Sequence, residues 1–531
     1  VTSGQMVEII HEGHRTVTQW RIDNPLEGMS LSAGPYAVEQ KTDKGITAAT
    51  YLFPENRSLA LRYLDLSLTY LGDYSRLFGS YPFDAFAVVE NFFPTGYGFP
   101  GYTLMGGTVL RLPFIPFTSL PHEIVHNWWG NGVRVDPDSG NWSEGLTTYT
   151  ADYRLKARQS PEAAMDYRRQ TMRNYAALVS QATDFPLSRF QSRTDPITKV
   201  IGYDKSAMVF HMLREKMGDR IFWRALRDLY DQFLFKRASW QDLQKVFEAR
   251  RGRPLDEFFD QWVYRSGAPR MRLETVSRSG SPKTGYRVTG QLIQEKPLFD
   301  VALELAVQTT SGNTIHKTVQ SSDRRTSFAI QTSEKPVKLI GDPGYHLFRK
   351  LDAEEVPPTI NDLKGAKALT VVLANRLGRT GVSIAKRLTR GMGIDAFDMI
   401  NEDDLQAAEP SAVNLLFIGL PERARIKPWF PPELNLTSDS FSLSGQRFRQ
   451  PADVLFCVVR HPRHRGKSIG LLHPLSIQAA DPVIHKLPHY GRYSFLAFES
   501  GQNQIKGTWE PEASPMIVHF ENGNASRGAN P

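Results

Sequence analysis

The sequence predicts a multidomain α+β protein, because its hydrophobic pattern changes twice along 531 residues. Through residues 42–270 the apolar residues recur mainly at helical spacing, after short strand patterns near the start. Residues 271–351 alternate between apolar and polar side chains, which is typical of the short strands of a β-sandwich. Residues 359–520 then combine apolar strand-like runs with a helical pattern, which indicates an α/β domain with a parallel sheet.

Composition and charge are those of an ordinary globular protein. Hydrophobic residues make up 40% of the chain and charged residues 23%, and 64 basic residues face 56 acidic ones. No apolar run reaches the roughly 20 residues that a membrane-spanning helix needs. The densest basic stretch, Arg460–Lys467, has no interleaved aromatic residue, so it predicts a solvated loop rather than a nucleic-acid site. We therefore expect no nucleic-acid partner and no transmembrane segment, while the oligomeric state stays open.

The single cysteine, Cys457, lies in the apolar run 454–459 and is expected to be a small buried side chain. Because one cysteine cannot form an intrachain disulfide, cysteine usage leaves the compartment undecided. Our expectation is an extracytoplasmic location, such as the periplasm or cell envelope of a bacterium.

The first part of the chain predicts strand ends, a helix and a further strand. Residues 1–41 alternate and contain turn formers, residues 56–78 place leucines on one helical face, and Pro82–Val89 is a strand pattern. A formal GxGxxG follows at residues 96–101. Pro100 and the β-prone residues after it spoil the strand–turn–helix context that dinucleotide binding requires, so nucleotide binding is not expected.

The stretch 121–149 carries the pattern that indicates chemistry. If Ser119–Asn131 is helical, His122 and His126 lie one turn apart on the same face. Two imidazoles so placed can bind one divalent metal ion. Glu123 between them can hold a carboxylate beside the water that such a metal activates.

A catalytic zinc needs a third protein ligand, which Glu144 can supply at the head of a second predicted helix, Glu144–Ala157. Asp136 and Asp138 are rival ligands, but they lie in a loop without an orienting helix, so Glu144 is preferred. The alternative for the HExxH pattern alone is a helix that carries two histidines by chance. The acidic third residue and the tryptophans at 128–129 make that alternative the weaker one.

This stretch resembles the aminopeptidase N-type zinc metallopeptidases, of the gluzincin class. Their signature is His-Glu-x-x-His, then an amide residue, Trp, an aromatic residue, Gly and Asn, and later Glu-Gly. Here it corresponds to residues 122–126, 127–131 and 144–145, with seventeen residues between the second histidine and the glutamate, one fewer than is usual. The turn-prone residues 136–140 can absorb that shortening.

The resemblance implies a thermolysin-like, mainly helical catalytic domain that hydrolyses peptide bonds. It implies one Zn²⁺ per chain, held by His122, His126 and Glu144, with Glu123 as general base. Tyr203 stands in a segment similar to the family's Tyr-x-Lys-Gly motif, which implies that its hydroxyl stabilises the developing oxyanion. The alternative is a tyrosine packed at a helix start.

One window departs from the family. Relatives carry Gly-x-Met-Glu-Asn there, whose Glu grips the free amine of the substrate, whereas residues 96–102 contain no acid. Glu90, the nearest acid, comes several residues too early. We therefore expect an aminopeptidase-like enzyme with a relaxed need for a free N-terminus. The alternatives are a zinc endopeptidase and a non-catalytic peptide-binding or scaffold relative.

The domain prediction follows from the patterns and the resemblance together. Because family members carry a large β-rich domain ahead of the catalytic one, we expect the chain to be N-terminally truncated, without its targeting signal. The predicted parts are a remnant of that β-domain at 1–41, the catalytic domain at 42–270, a β-sandwich at 271–356, an accessory α/β domain at 359–520 and a disordered tail at 521–531.

Within the accessory domain, five elements are predicted from apolar runs. The strands are Ala368–Ala374, Asp395–Ile400, Ala412–Ile418 and Asp453–Val459, and Val382–Arg390 is a helix. No chemistry is expected there.

Overall fold

The computed structural model divides the chain into two compact units. The first contains Val1–Lys350 and the segment from Pro515, and the second is Leu351–Ser514. The predicted mixed α+β class is confirmed. In the part of the chain that the structure describes, no helix is both long and apolar enough to cross a membrane. The described residues are 1–93, 96–364, 366, 368–394, 396–406, 413–421, 427–464, 466–509, 511 and 513–520.

The first unit begins with a hairpin of β1 and β2 and continues into a five-stranded sheet of order β3-β4-β5-β7-β6. Strands β4, β5 and β7 are parallel, and the edge strands β3 and β6 are antiparallel to their neighbours. The predicted boundary at residue 41 falls inside β3. The bounds are β1 Gln5–Glu12, β2 Arg15–Arg21, β3 Ala37–Asp43, β4 Ile46–Leu52, α1 Ala60–Phe78, β5 Ala85–Asn91, β6 Gly96–Phe99 and β7 Tyr102–Gly106.

A mainly helical region follows the sheet. The predicted helix over Ser119–Asn131 ends at Val125, because the chain turns through His126–Trp129 and Gly130 takes a φ of 113°. The second predicted helix, Glu144–Ala157, is interrupted by a π-helical turn at Thr148–Tyr153. The bounds are α2 Gly107–Leu110, α3 Ser119–Val125, β8 Arg134–Val135, α4 Ser143–Thr147, α5 Arg154–Gln159, α6 Pro161–Leu178, α7 Pro196–Lys199, α8 Ser206–Met217, α9 Asp219–Phe233, β9 Arg237–Ala238, α10 Trp240–Arg251 and α11 Asp256–Phe259.

Two antiparallel sheets complete most of the first unit, in the segment predicted as a β-sandwich. One has the order β10-β11-β14, and the other contains β13, β12 and β15. Alternate residues of the central strand β12, such as Leu303, Leu305 and Val307, are fully buried, as the period-two pattern predicts. The bounds are β10 Met271–Ser281, β11 Gly285–Gln294, β12 Val301–Thr309, β13 Thr314–Ser321, β14 Arg325–Thr332 and β15 Pro336–Gly341.

The second unit is built on a seven-stranded sheet of order β17-β16-β18-β22-β21-β23-β24. The expectation of a parallel sheet is only half right. Strands β17, β16, β18 and β22 are parallel to one another. The remaining strands alternate in direction, because each of β21, β23 and β24 is antiparallel to the strand before it in that order. The short 461–467 connection allows only a hairpin between β21 and β22. The bounds are α12 Ile360–Lys364, β16 Leu369–Leu373, α13 Gly378–Gly391, β17 Asp398–Asn401, β18 Asn414–Ile418, β19 Phe441–Leu443, β20 Gln446–Phe448, β21 Val454–Arg460, β22 Ser468–Pro474, α14 Asp481–Ile484, β23 Phe495–Glu499 and β24 Gln502–Gly507.

The chain then returns to the first unit. Strand β25, Ile517–His519, pairs antiparallel with β15 and becomes the fourth strand of its sheet. The predicted α/β range ended at residue 520 and so included these residues, which instead extend a sheet of the first unit. The predicted disordered tail, 521–531, lies outside the described residues.

Candidate active site

Three side chains from two helices meet in the first unit. His122 and His126 project from α3 and its end, and Glu144 from α4. One ligand atom from each lies within 4.8 Å of the others. Oε2 of Glu144 is 3.6 Å from Nε2 of His122 and 3.3 Å from Nε2 of His126. Neither Asp136 nor Asp138 belongs to this group among the described residues, and Asp136 caps its own loop by accepting from the Asp138 amide.

The chemistry of this donor set fits a metal ion. Oε2 of Glu144 is buried and makes no hydrogen bond, although two imidazole nitrogens face it. A buried carboxylate oxygen left in that state is costly unless a cation or a proton completes its surroundings. Two imidazoles and one carboxylate are a ligand set that catalytic zinc sites use.

A close contact between helices brings Glu144 next to Tyr203. A Cβ atom on Gly145 would lie 1.9 Å from Oγ of Ser206, so only glycine lets α4 approach the start of α8 this closely. Tyr203 lies in the π-helical turn that leads into α8. Its ring is parallel to that of His122, with 6.4 Å between the ring centroids. All residues of the predicted site therefore lie in one place.

The histidine rings are fixed from behind by groups that sequence reasoning missed. Nδ1 of His122 lies 3.1 Å from a carboxylate oxygen of Asp152, and Nδ1 of His126 lies 3.0 Å from the carbonyl oxygen of Trp129. In each ring the Nδ1–H can donate, which leaves the Nε2 lone pair directed at Glu144. The one available signal was a second carboxylate on the helix that carries Glu144.

Glu123 lies beneath the edge strand β6. Gly98 passes so close that a Cβ atom there would lie 2.8 Å from Oε2 of Glu123. The side chain of Asn127 holds this arrangement by donating to the Glu123 carbonyl and accepting from the Gly101 amide. The backbone of β6 at Gly98, which has no side chain, therefore covers the carboxylate of Glu123.

The charges of the site influence one another strongly. Burial opposes ionisation of Glu144, but His126 and His122 outweigh it and hold the pKa of Glu144 well below its ordinary value. Burial raises the pKa of Glu123, even against the two imidazoles. Burial, followed by the nearby Glu144, raises the pKa of Tyr203, so its hydroxyl stays protonated and can donate.

The tryptophans of the motif support the helix from inside the core. Trp128 is fully buried, donates from Nε1 to the Gly79 carbonyl, and contacts the ring of Phe78 edge-on. Trp129 is equally buried and also contacts the ring of Phe78 edge-on. Their side chains contribute packing, and the carbonyl oxygen of Trp129 is the part that contacts a site histidine.

Two acids near β6 are already paired. Glu90 is buried and accepts hydrogen bonds from the Phe53 amide and the Asn56 side chain. It thereby links β5 to the segment that follows β4. Glu27 lines a cavity of about 410 Å³ together with Gly98. Its carboxylate accepts from two arginines, Arg134 at 3.2 Å and Arg237 at 2.9 Å.

Residues 118–262, which contain His122, Glu123, His126, Glu144 and Tyr203, match the Peptidase family M1 domain. The chain contains a peptidase family M1 domain. The resemblance to the aminopeptidase N-type zinc metallopeptidases is thereby confirmed at the level of the family.

Curated aminopeptidases match part of this chain at low identity. Aminopeptidase 2, mitochondrial, of Saccharomyces cerevisiae is 24% identical over 223 residues, which are 40% of this chain and 23% of that protein. Glutamyl aminopeptidase of Bitis rhinoceros is 26% identical over 166 residues, which are 30% of this chain and 17% of that protein. The matched segments thus span about a fifth of those relatives.

The fold is also similar to a solved structure. The crystal structure of Legionella pneumophila aminopeptidase A in complex with aspartic acid superimposes with a TM-score of 0.51 at 16% identity. The match covers 73% of this chain and 47% of that one. This likeness concerns the fold alone.

Proposed function

We propose that the chain is a zinc-dependent peptidase in which His122, His126 and Glu144 hold one Zn²⁺. The observation that supports it most is the convergence of three ligand atoms within 4.8 Å, around a buried carboxylate oxygen without a hydrogen bond. A zinc ion bound there would act as a Lewis acid that polarises the scissile carbonyl and lowers the pKa of water.

The proposed roles of the neighbouring residues follow from their surroundings. Glu123 is the general base: its carboxylate takes a proton from the attacking water and passes it to the leaving amine. Its raised pKa suits a group that must hold that proton between the two steps. Tyr203 stays protonated and donates a hydrogen bond to the oxyanion that develops on the substrate.

Metal binding and chemistry can be tested separately. We expect His126→Ala and Glu144→Ala to lose zinc, measured by elemental analysis of the purified protein. Glu123→Gln keeps its shape and leaves the three ligands intact, so it should retain zinc while losing most turnover on a mixed peptide pool. Full zinc occupancy in both ligand variants, or near-normal hydrolysis by zinc-loaded Glu123→Gln, would contradict the assignment.

We also propose that the enzyme acts on peptides with a relaxed requirement for a free N-terminus. Strand β6 offers glycine where a substrate-gripping acid is expected, and a side chain at Gly98 would meet Glu123. Glu90 and Glu27 are engaged by other groups. A charge-assisted contact to an ammonium is worth about 1.5–3 kcal/mol, so its loss removes roughly one to two powers of ten of preference.

Matched peptides with free and acetylated N-termini test this specificity. Product analysis by mass spectrometry should show hydrolysis rates that differ by less than about a hundredfold. A larger preference for free amines would contradict the proposal, and Glu27→Gln would then show whether that acid is the anchor.

The absence of an acidic residue on β6, Gly96–Phe99, also supports a second candidate function, a zinc endopeptidase, which internal cleavage products in the same assay would reveal. A non-catalytic peptide-binding relative would bind zinc but leave the whole peptide pool intact. An extracytoplasmic location is a further proposal, to be tested by cell fractionation.

A further inference from the structure

A second group of metal-binding side chains lies in the first unit, outside the site described above. His211 and Glu215 stand four residues apart on α8, and His346 projects from the loop after β15. Nε2 of His211 is 2.9 Å from Nδ1 of His346. Oε1 of Glu215 is 3.9 Å and 3.8 Å from those two nitrogens.

The triangle of these atoms has the dimensions of a metal site. Zinc bonds of about 2.0–2.1 Å in a tetrahedron place ligand atoms about 3.3 Å apart. The observed separations of 2.9, 3.8 and 3.9 Å lie on either side of that value. Small rotations of the exposed Glu215 side chain and of the partly buried His346 side chain would make the three separations more equal.

The close approach of Nε2 of His211 and Nδ1 of His346 requires a proton or a cation between them. His211 is almost fully buried, and its other nitrogen, Nδ1, lies 3.3 Å from the hydroxyl oxygen of Tyr149. When Nδ1 carries the proton and donates to that oxygen, the Nε2 lone pair points at His346. Two imidazole lone pairs in contact repel each other, so either a proton or a cation must lie between the rings.

The loop that presents His346 is fixed in place. Asp342 and Tyr345 both adopt a φ of 53°, and the His346 amide donates to Asp342 at 2.8 Å. Arg168 donates two hydrogen bonds to the Gly344 carbonyl. Because the loop is already ordered, less conformational entropy is lost when the His346 side chain binds a metal ion.

Charge and access around the cluster are compatible with a cation. Burial lowers the pKa of His211 well below its ordinary value and that of His346 to about 4, so both rings are neutral and can ligate. Arg168 and Arg214 oppose a cation here, whereas Glu215 and the nearby Glu304 favour one. Glu215, His346 and Glu304 line an open cavity of about 950 Å³, which lets an ion and its water enter.

We propose that His211, Glu215 and His346 bind a second divalent transition-metal ion of the zinc type, which ties α8 to the loop after β15. Two imidazoles and a carboxylate select such an ion over calcium or magnesium, which prefer oxygen ligands. The ion would be structural, and this site is independent of the function proposed for the first one.

Zinc stoichiometry of the full chain tests the proposal. Metal-free protein is loaded with Zn²⁺, separated by gel filtration and analysed for bound metal. We expect two zinc ions in the unaltered protein, one in His126→Ala, one in His346→Ala and none in the double variant. His11→Ala, which removes an exposed imidazole that contacts the Thr16 hydroxyl, is the control and should keep two.

A second variant distinguishes loss of the metal ligand from loss of the fold. Glu215→Gln keeps the size of a half-exposed side chain, so the fold should survive while zinc affinity at this site falls at least tenfold. In the His126→Ala background, Zn²⁺ should raise the Tm, and Glu215→Gln should reduce that rise. The proposal is overturned if the unaltered protein binds one zinc ion that His346→Ala leaves in place, or if Glu215→Gln leaves affinity and Tm shift unchanged.

Discussion

Asp152 is the residue whose effect on the site is easiest to isolate. Its carboxylate accepts from Nδ1 of His122 and so fixes the ring whose Nε2 faces Glu144. A carboxylate behind a ligating imidazole raises the basicity of that ligand and restricts its rotation. Because Asp152 lies outside the proposed ligand set, its removal tests orientation without deleting a ligand.

We predict that Asp152→Asn weakens zinc binding by about 10- to 100-fold. Competition with a chromogenic chelator would measure the affinity, and excess zinc should restore most of the lost activity. Asp166→Asn is the control, since this exposed carboxylate pairs with Arg169 on the surface of α6. An unchanged zinc affinity in Asp152→Asn would show that the contact has no influence on the metal.

Tyr203 allows an equally specific change. Tyr203→Phe deletes only the hydroxyl, and we expect kcat to fall by about 100- to 1000-fold while KM changes little. Steady-state kinetics on a peptide substrate would measure both constants. A normal kcat would make Tyr203 a packing residue, and the ring contact with His122 would be its whole contribution.

At the scale of residues, the sequence indicated the candidate ligands but not the groups that orient their side chains. Four-residue spacing brought His122 and His126 to one helix face, and geometry unites both with Glu144. Asp152 escaped prediction because a π-helical turn changes the angular step between it and Glu144. Backbone groups such as the Trp129 carbonyl escape any analysis of side-chain patterns.

The contact between α4 and α8 is the element-level feature on which the site depends. Gly145→Ala would force a methyl group into Ser206, and we expect a loss of about 1–3 kcal/mol in the free energy of unfolding. Denaturant titration would measure it. Gly72→Ala is the control within α1, where the new methyl meets only Arg76 at 3.8 Å.

The control should move in the opposite direction. Alanine in a helix interior is favoured over glycine by roughly 0.5–1 kcal/mol, so Gly72→Ala should be neutral or stabilising. If Gly145→Ala were as stable as Gly72→Ala, the close approach of α4 and α8 would not be needed to bring Glu144 and Tyr203 together.

Element types were predictable where one pattern dominates, and element ends and strand directions were not. The helix carrying His122 ends at Val125, since the turn that follows is set by hydrogen bonds of the Asn127 side chain. In the second unit the strand β21 was predicted, but its antiparallel direction depends on which neighbour it pairs with. Apolar runs carry no information about that choice.

At the scale of the molecule, the second unit is an insertion within the first. The chain leaves after Lys350, whose amide bonds to the Pro269 carbonyl, and returns at Pro515, whose carbonyl accepts from the Leu273 amide. Pro269 and Leu273 are four residues apart, a span of at most about 14 Å. The pairing of β25 with β15 joins residues that are more than 170 positions apart, which local sequence patterns cannot indicate.

We predict that a Gly/Ser linker of about eight residues can replace Leu351–Ser514, since such a linker reaches roughly 26 Å when extended. The shortened protein should unfold cooperatively and keep its zinc, as measured by thermal melting and metal analysis. A chain that ends at Ser514 instead loses β25 and should melt at a lower temperature. Equal Tm values for the full chain and the truncated one would contradict the importance of that strand.

The late return of β25 also sets an order of events during protein synthesis. A ribosome makes residues 1–350 first, and domains generally begin to fold as they emerge. Yet the edge of β15 can be covered only after the whole second unit has been made, because its partner strand is Ile517–His519. Until then the nascent chain exposes an unpaired strand edge, which is a template for misassociation. Rapid folding of the second unit on the ribosome would shorten that period of risk.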